Sequence, residues 1–255
     1  MSEPVLSTLA DGVRTITLNR PDRLNAMNMA LIEAVGDAFA AANADPGTRT
    51  IVFTGAGRAF CAGDDLKDHR HPGSEAEARA VVDAIQRATR EIVLGERIVV
   101  GAINGWAVGG GFEWATNCDF PIWAESARGF LPEVSWGLFV TGGVTASLPH
   151  LVGLNRAREM LLLGERYSAK ELLEMGLAWR VVPDDRLIDE ARTVAAKIAG
   201  LPPRSVADMK TVLTRTAFGG PEAMIRAMEL ESEATVRAFL DPETTARIGS
   251  FVGSK

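Results

Sequence analysis

Short apolar runs alternate with longer segments of helical spacing along the first 140 or so residues. The runs Val13–Leu18, Thr50–Thr54 and Ile98–Ile103 predict strands, because they are short, rich in β-branched residues and bounded by turn residues. Apolar residues recur at helical spacing over Met29–Asn43 and Glu75–Leu94, which predicts two helices. The alternation of strands with helices predicts an α/β fold.

After about residue 141 the pattern is mostly helical. Trp179–Val182 predicts a last strand, and Leu201-Pro202-Pro203 is the best candidate for a linker. The segments with helical spacing are 143–151, 155–163, 168–175, 184–199, 203–217, 221–240 and 242–252. The second half of the chain therefore adds helices to an α/β core.

Size and charge restrict the class of protein. The chain has 255 residues, 47% of them hydrophobic and 24% charged, which is typical of one large globular domain or of a domain with an appendage. The formal net charge of −6 argues against a nucleic-acid surface as the main function. A local basic pocket for a phosphorylated ligand stays compatible with that charge.

Cysteine usage and hydropathy indicate a cytoplasmic protein. Cys61 and Cys118 form no C-x-x-C pair, so we expect two small packed hydrophobes rather than a zinc site or a disulfide. No apolar run reaches the ~18 residues of a membrane span. The N-terminal residues, Met1 to Pro4, resemble neither a signal peptide nor a transit helix.

Two glycine-flanked segments carry the candidate chemistry. Ala59–Leu66 and Asn104–Glu113 each follow a strand-like run and precede a helix-like run. The first N–H groups of a helix have no intrahelical partner and attract negative charge. Two such turns facing one point would form an oxyanion hole. With two carboxylates, Glu113 and Glu133, this pattern favours an enzyme that forms and protonates enolates.

The order and spacing of several motifs resemble those of the enoyl-CoA hydratase/isomerase (crotonase) family. They are Asn19-Arg20-Pro21 with Leu24-Asn25-Ala26, the two glycine-flanked segments, and Pro132-Glu133. The resemblance covers nearly the whole chain. It implies a spiral of repeated β-β-α units over residues 1–200 and a helical oligomerisation region over residues 201–255. It further implies trimers or hexamers, acyl-CoA thioesters as substrates, and no cofactor or metal.

The resemblance also assigns roles to four residues. The backbone N–H groups of Asp64 and Gly110 would hold the thioester oxygen as it becomes an enolate oxygen. Glu113 would act mainly on water, and Glu133 would mainly exchange the proton of the α-carbon. Preorganised N–H donors stabilise such developing charge, and losing one typically costs ~10²–10³ in rate. The implied reaction is addition of water to a 2-enoyl-CoA.

Further positions match the parts of the family that bind coenzyme A. The loop before the first long helix would frame the nucleotide, the first glycine-flanked segment would line the adenine and pantetheine, and the C-terminus would contribute across a subunit boundary. The residues are Arg23, Leu24, Ala26, Ala62, Asp65, Leu66, Lys67, Phe251 and Lys255.

The segment after Glu133 departs from the family pattern. Relatives often have Ile-Pro-Gly-Ala-Gly-Gly-Thr where this chain has Leu138 to Val144. Phe112, Trp114 and Trp136 also lie next to the two glutamates; we expect them to pack in the core, although in the cavity they would reshape the acyl site. The acyl chain thus stays open. So do isomerisation, thioester hydrolysis or decarboxylation on the same scaffold, and an RNA-binding or scaffold role.

Overall fold

The computed structural model describes residues 3–66, 68, 72–217 and 220–253. Strands in this part of the chain are β1 (Val5–Ala10), β2 (Val13–Leu18), β3 (Thr50–Gly55), β4 (Ala59–Cys61), β5 (Ile98–Ile103), β6 (Trp106–Val108), β7 (Phe120–Ala124), β8 (Arg128–Phe130), β9 (Tyr167–Ser168) and β10 (Arg180–Val182). Helices are α1 (Met29–Ala44), α2 (Glu75–Val93), α3 (Gly110–Thr116), α4 (Val144–Val152), α5 (Leu154–Leu163), α6 (Ala169–Glu174), α7 (Leu187–Ala199), α8 (Pro203–Thr216), α9 (Pro221–Phe239) and α10 (Pro242–Gly253). Short 3-10 turns cover Pro21–Arg23, Glu133–Trp136 and Asp184–Arg186.

The strands form two sheets, and the chain passes repeatedly from one sheet to the other. The larger sheet has the order β1-β2-β3-β5-β7-β10 and the smaller has the order β4-β6-β8-β9. All neighbours are parallel except β1 with β2 and β8 with β9. Thus β3 and β4, followed by α2, and β5 and β6, followed by α3, are successive β-β-α units. The predicted fold class is confirmed.

The core lies where the two sheets meet the first helix. Phe53 of β3 makes edge contacts with Phe39 of α1 and with Phe60 of β4, at ring-centroid distances of 5.0 and 5.1 Å. Every residue of β3 is buried. Parallel strands are usually covered on both faces, and here α1 and α7 pack near the larger sheet. This explains why β3 shows a continuous apolar run rather than alternation.

Most predicted elements agree with the structure, but four strands were missed: the short strands β4, β6 and β9 and the edge strand β1. Asn28 caps α1 by accepting a hydrogen bond from the Leu31 N–H at 3.1 Å, as its residue type predicts. The first strand, β1, pairs only with β2 at the sheet edge, and five of its six residues are exposed. An exposed edge strand buries too little apolar surface to leave a hydrophobic pattern.

The C-terminal helices pack back onto the core. Helix α9 lies against α2 and α4, and α10 lies against α9 and the turn that begins at Glu133. The buried ammonium of Lys210 in α8 donates to the carbonyls of Ile92 and Arg97 and to the carboxylate of Asp119. No helix in the described ranges has the length and apolarity needed to cross a bilayer.

Candidate active site

The two glycine-flanked segments lie side by side because their strands are neighbours. Strands β4 and β6 are parallel, so the segments that follow them leave the smaller sheet at the same end of the strands. A Cβ on Gly63 would lie 2.8 Å from the Val108 carbonyl oxygen, and one on Gly111 would lie 2.4 Å from the Cys61 carbonyl oxygen. These distances leave no room for a side chain, so the glycines permit direct contact between the two backbones.

Asp64 and Gly110 face one cavity. Gly110 is the first residue of α3, so helix geometry gives its N–H no intrahelical partner. Asp64 forms an isolated parallel bridge with Met27, which donates to the Gly63 carbonyl at 2.7 Å and fixes this turn. Both residues line a cavity of about 1300 Å³. The structure therefore brings together the two positions predicted from the sequence.

Glu113 lies on α3 in the same cavity and is 2% exposed. Its Oε2 accepts hydrogen bonds from the N–H of Gly142 at 2.5 Å and of Thr141 at 3.2 Å. Desolvation raises the pKa of Glu113 well above its usual value, and the charges of Glu133 and Glu231 add to this effect. The two amide donors oppose the rise without overcoming it.

Glu133 lines the cavity from the start of its 3-10 turn. Its Oε2 is shielded from solvent and has no hydrogen-bond partner among the residues that the structure describes. A Cβ on Gly109 would lie 2.7 Å from Glu133 Oε1, so this glycine leaves room for the carboxylate. Desolvation raises the pKa of Glu133 to about 7. A buried carboxyl oxygen without a partner is rare in the absence of a function.

The carboxyl groups of Glu113 and Glu133 influence each other's ionisation. Each has a raised pKa, and the charge of Glu133 raises the pKa of Glu113. Two interacting, desolvated carboxyls disfavour simultaneous ionisation, so one can hold a proton while the other is ionised. Such a pair can supply a base and an acid.

The predicted coenzyme A loop is held together by a buried ion pair. Asp65 is 4% exposed and accepts from Arg23 at 2.7 Å and from Arg20 at 3.0 Å. Desolvation acts to raise the pKa of Asp65, but the hydrogen bonds and charges of Arg23 and Arg20 outweigh it, and the pKa is lowered. The Asp65 carboxylate is therefore occupied within the protein and ties residues 20–23 to the turn at Asp64.

The other predicted binding residues divide into three groups. Ala62 and Leu66 line the cavity. Arg23, Leu24 and Ala26 do not line it, nor does Asp65, but the Leu24 carbonyl accepts from the Ala62 N–H at 3.1 Å and so joins their loop to it. Lys67, the Phe251 side chain and Lys255 lie outside the described residues.

The three aromatic residues near the glutamates differ in position. Phe112 and Trp114 are fully buried in the core, as expected. Trp136 instead lines the cavity together with Phe139, so the expectation of a core position was wrong for this residue. Trp136 closes the 3-10 turn that begins at Glu133, and Glu133 faces the cavity from the same turn.

Sequence reasoning missed two charged residues at the site. Arg166 is the only lysine or arginine among the described lining residues, and its guanidinium lies 5.2 Å from the ring centroid of Phe130. Glu231 of α9 is buried beside Glu113 and accepts from the segment at the start of α4. Neither residue belongs to a recognisable motif, because each reaches the site from a distant part of the chain.

No group of three or more His, Cys, Asp or Glu side chains suited to a metal ion occurs within the described ranges. The thiols of Cys61 and Cys118 are buried and unpaired. Desolvation raises the pKa of Cys61 to about 12, which suits a packed hydrophobe rather than a nucleophile.

Two sheets linked by β-β-α units, with backbone turns and acids around one cavity, define the crotonase fold class. The chain belongs to the enoyl-CoA hydratase/isomerase family, whose family model matches residues 8–243.

Particular relatives support this membership. The chain is 37% identical to a probable enoyl-CoA hydratase of Mycobacterium leprae over 81% of both chains. It is 35% identical to a 1,2-epoxyphenylacetyl-CoA isomerase of Escherichia coli, over 79% of this chain and 78% of that protein. A crystal structure of an enoyl-CoA hydratase/isomerase from Xanthobacter autotrophicus superposes with a TM-score of 0.90 at 30% identity, covering 98% of this chain and 93% of that one.

Proposed function

We propose that this protein is an enoyl-CoA hydratase, which adds water to a 2-enoyl-CoA and produces a 3-hydroxyacyl-CoA. One observation carries the proposal: Glu113 and Glu133 line the same cavity as Asp64 and Gly110. Charge that develops on a thioester oxygen needs preorganised donors, and the proton transfers need an acid and a base. The residues that line this cavity include candidates for both roles.

In the proposed reaction, ionised Glu113 takes a proton from water as the water oxygen bonds to the β-carbon. The electron pair of the double bond moves toward the carbonyl, and the thioester oxygen becomes an enolate oxygen. The N–H groups of Asp64 and Gly110 stabilise this oxygen. Protonated Glu133 then gives its proton to the α-carbon and the carbonyl re-forms. The proton on Glu113 returns to Glu133 through the shared pair.

We further propose that the coenzyme A portion binds along the first glycine-flanked segment. Ala62 and Leu66 line the cavity there, and this supports a pantetheine site. Arg23, Leu24 and Ala26 lie in the loop hydrogen-bonded to this segment, where they would frame the nucleotide. Asp65 would act indirectly, by holding that loop. Lys67, Phe251 and Lys255 stay predictions for phosphate and cross-subunit contacts.

The direct test is turnover of crotonyl-CoA, followed by loss of the absorbance of the conjugated thioester. We expect hydration by the wild type and a fall of about 10²–10⁴-fold in kcat for Glu113→Gln and for Glu133→Gln. Glu125→Gln is the control, because Glu125 is exposed and does not line the cavity. Absence of turnover by the wild type on enoyl-CoA substrates of several chain lengths would exclude the proposed activity.

Double-bond isomerisation is the second candidate, and one observation favours it. Both Glu113 oxygens accept backbone N–H groups, whereas Glu133 Oε2 has no protein partner within the described residues. An isomerase could therefore use Glu133 alone to move a proton between carbons. Isomerase activity on a 3-enoyl-CoA should then survive Glu113→Gln and disappear in Glu133→Gln. Loss of activity in both variants would favour hydration instead.

We propose that α8, α9 and α10 build a homotrimer, with pairing of trimers into hexamers as the larger assembly. Exposed apolar side chains on α8 support an interface there: Met209, Val212 and Leu213 are each more than half exposed. Light scattering coupled to size exclusion should give a mass of three or six chains. A monomer at micromolar concentration would contradict this assembly.

The cytoplasmic location also stays a proposal. The two buried, unpaired thiols support it, because reducing compartments keep cysteines in this state. Cell fractionation with an antibody against the protein tests it.

A further inference from the structure

The C-terminal helices hold the segment between Glu133 and α4 at several points. The Thr244 hydroxyl of α10 donates to the Gly137 carbonyl at 3.1 Å. The Thr235 hydroxyl of α9 donates to the Val140 carbonyl at 3.4 Å. The strongest set of contacts comes from Glu231, four residues before Thr235 and therefore on the same face of α9.

Glu231 is a buried carboxylate with three donors. It is 1% exposed. Its Oε2 accepts from the Gly143 N–H at 2.7 Å, and its Oε1 accepts from the Thr145 N–H at 2.9 Å and from the Thr145 hydroxyl at 2.6 Å. All three partners donate, as an ionised carboxylate requires, and they oppose, without overcoming it, the rise in the pKa of Glu231 that desolvation causes. Charge-assisted hydrogen bonds of this kind are among the strong ones in proteins.

The carboxylates of Glu113 and Glu231 therefore accept hydrogen bonds from different amides of one short segment. Glu113 accepts from residues 141 and 142, and Glu231 accepts from residues 143 and 145. The segment has little freedom around Glu113, because a Cβ on Gly142 would lie 2.7 Å from Glu113 Oε2. A movement of the segment away from Glu231 would displace the donors that fix the Glu113 carboxylate.

We propose that Glu231 is a positioning residue for Glu113: it anchors the 141–145 segment, and this segment orients the Glu113 carboxylate toward the reacting water. The inference rests on the proposed function, since it assigns Glu113 the role of base. Glu231 does not line the cavity and acts only through the segment. The C-terminal helical region thus takes part in the chemistry of the site.

Glu231 also has an electrostatic effect that separates positioning from a merely structural role. The titratable groups whose charges act on Glu113 are Glu133 and Glu231, and both raise the pKa of Glu113. Neutralising Glu231 removes one of the two negative charges. This loss of charge lowers the pKa of Glu113, whereas displacement of the Gly142 and Thr141 donors raises it. A shift in either direction of the limb of the pH–rate profile that reports this ionisation therefore shows that Glu231 acts on Glu113.

The test compares Glu231→Gln with Glu233→Gln, an exposed position two residues further along α9. In Glu231→Gln we expect kcat to fall by roughly 10- to 100-fold, the scale at which small misplacements of catalytic groups lower rates. KM should change little, and the acidic limb should shift. Glu233→Gln should keep the wild-type kcat and profile. An unchanged kcat and profile in a folded Glu231→Gln protein would overturn the proposal.

A second pair of variants covers the case in which Glu231→Gln fails to fold. Thr145→Val removes one of the three donors to Glu231, and Thr145→Ser keeps the hydroxyl. Thr145→Val should lower kcat several-fold, and Thr145→Ser should restore it. Equal kcat values in these two variants would contradict the proposal.

Amide hydrogen exchange supplies a readout that does not depend on turnover. The N–H groups of residues 141–143 should exchange faster in Glu231→Gln than in the wild type, while those of α9 itself stay protected. If the wild type does not hydrate enoyl-CoA, the proposed function fails while this measurement still tests the anchor. Unchanged exchange in the variant would reject the anchor whatever the activity.

Discussion

Gly142 leaves room for the Glu113 carboxylate because it has no Cβ. A side chain on Gly142 would approach Glu113 Oε2 to 2.7 Å, and the Gly142 N–H donates to the same oxygen. We expect Gly142→Ala to push the carboxylate away and to lower kcat for crotonyl-CoA by about 10- to 100-fold. Gly249→Ala is the matched control, since nothing lies within 4 Å of its added Cβ. Equal effects of the two substitutions would contradict this view of the site.

Desolvation of the Glu133 carboxyl should make activity and stability depend on this group in opposite directions. Its folded-state pKa of about 7 is above the ordinary value of 4.5, so the folded protein binds more protons than the unfolded chain between these pH values. Wild-type stability therefore falls as the pH rises through this window. Glu133→Gln cannot ionise and avoids the loss. At about pH 8 the inactive variant should be more stable by about 1–3 kcal/mol, with little difference at about pH 4.

Thermal or urea unfolding of the wild type and Glu133→Gln across this pH range measures the effect. Glu125→Gln, at an exposed site, should follow the wild type at every pH. A stability difference for Glu133→Gln that does not grow with pH would mean that the carboxyl is not desolvated in the folded protein.

At the scale of elements, the loop before α1 and the turn after β4 are joined by Asp65. Removing a buried partner leaves two guanidinium groups without their acceptor, and Arg20 and Arg23 are only partly exposed. Asp65→Asn should therefore destabilise the protein by about 1–3 kcal/mol and raise KM for acyl-CoA. Urea unfolding and steady-state kinetics measure the two effects.

The pH dependence of this ion pair has a defined sign. Arg23 and Arg20 lower the pKa of Asp65, so its contribution is present above the unfolded-state value and is lost as the pH falls through the folded-state value. Asp37→Asn is the control, because Asp37 is 70% exposed in its pair with Arg87. The control should change stability by less than about 0.5 kcal/mol. Similar losses in both variants would show that burial of Asp65 is not decisive.

At the scale of the whole molecule, Lys210 is one of the residues that link the C-terminal helices to the core. Lys210 has a 3% exposed side chain and bonds to Asp119 and to two backbone carbonyls of the core. Lys210→Met leaves these acceptors buried without their donor. We expect a loss of about 2–4 kcal/mol in the free energy of unfolding. If α8 contributes to the proposed trimer, the trimer of the variant should also be weaker. It should dissociate at protein concentrations at which the wild type stays assembled.

Lys170→Met is the control for this prediction, because the Lys170 side chain is 85% exposed. It should unfold with the wild-type midpoint and keep the wild-type mass in solution. A Lys210→Met protein as stable as the control would mean that the C-terminal helices depend on apolar packing alone.

Local patterns in the sequence determined most of the helices and longer strands and the two glycine-flanked segments. Strands such as β5 and helices such as α2 follow from apolar spacing, and the N-cap at Asn28 follows from residue type. The glycine-flanked segments and the order of Glu113 and Glu133 indicated the family, which the family model then confirmed. These features are readable because each depends on residues close together in the chain.

Only the tertiary structure decided which side chains share an environment. Trp114 is in the core and Trp136 lines the cavity, although both lie near a glutamate in sequence. Asp65 pairs with arginines more than 40 residues away, and Glu231 meets Gly143 across 88 positions. Hydrogen bonds and packing between distant residues leave no periodic trace in a sequence. They depend on how the two sheets and the returning helices come together.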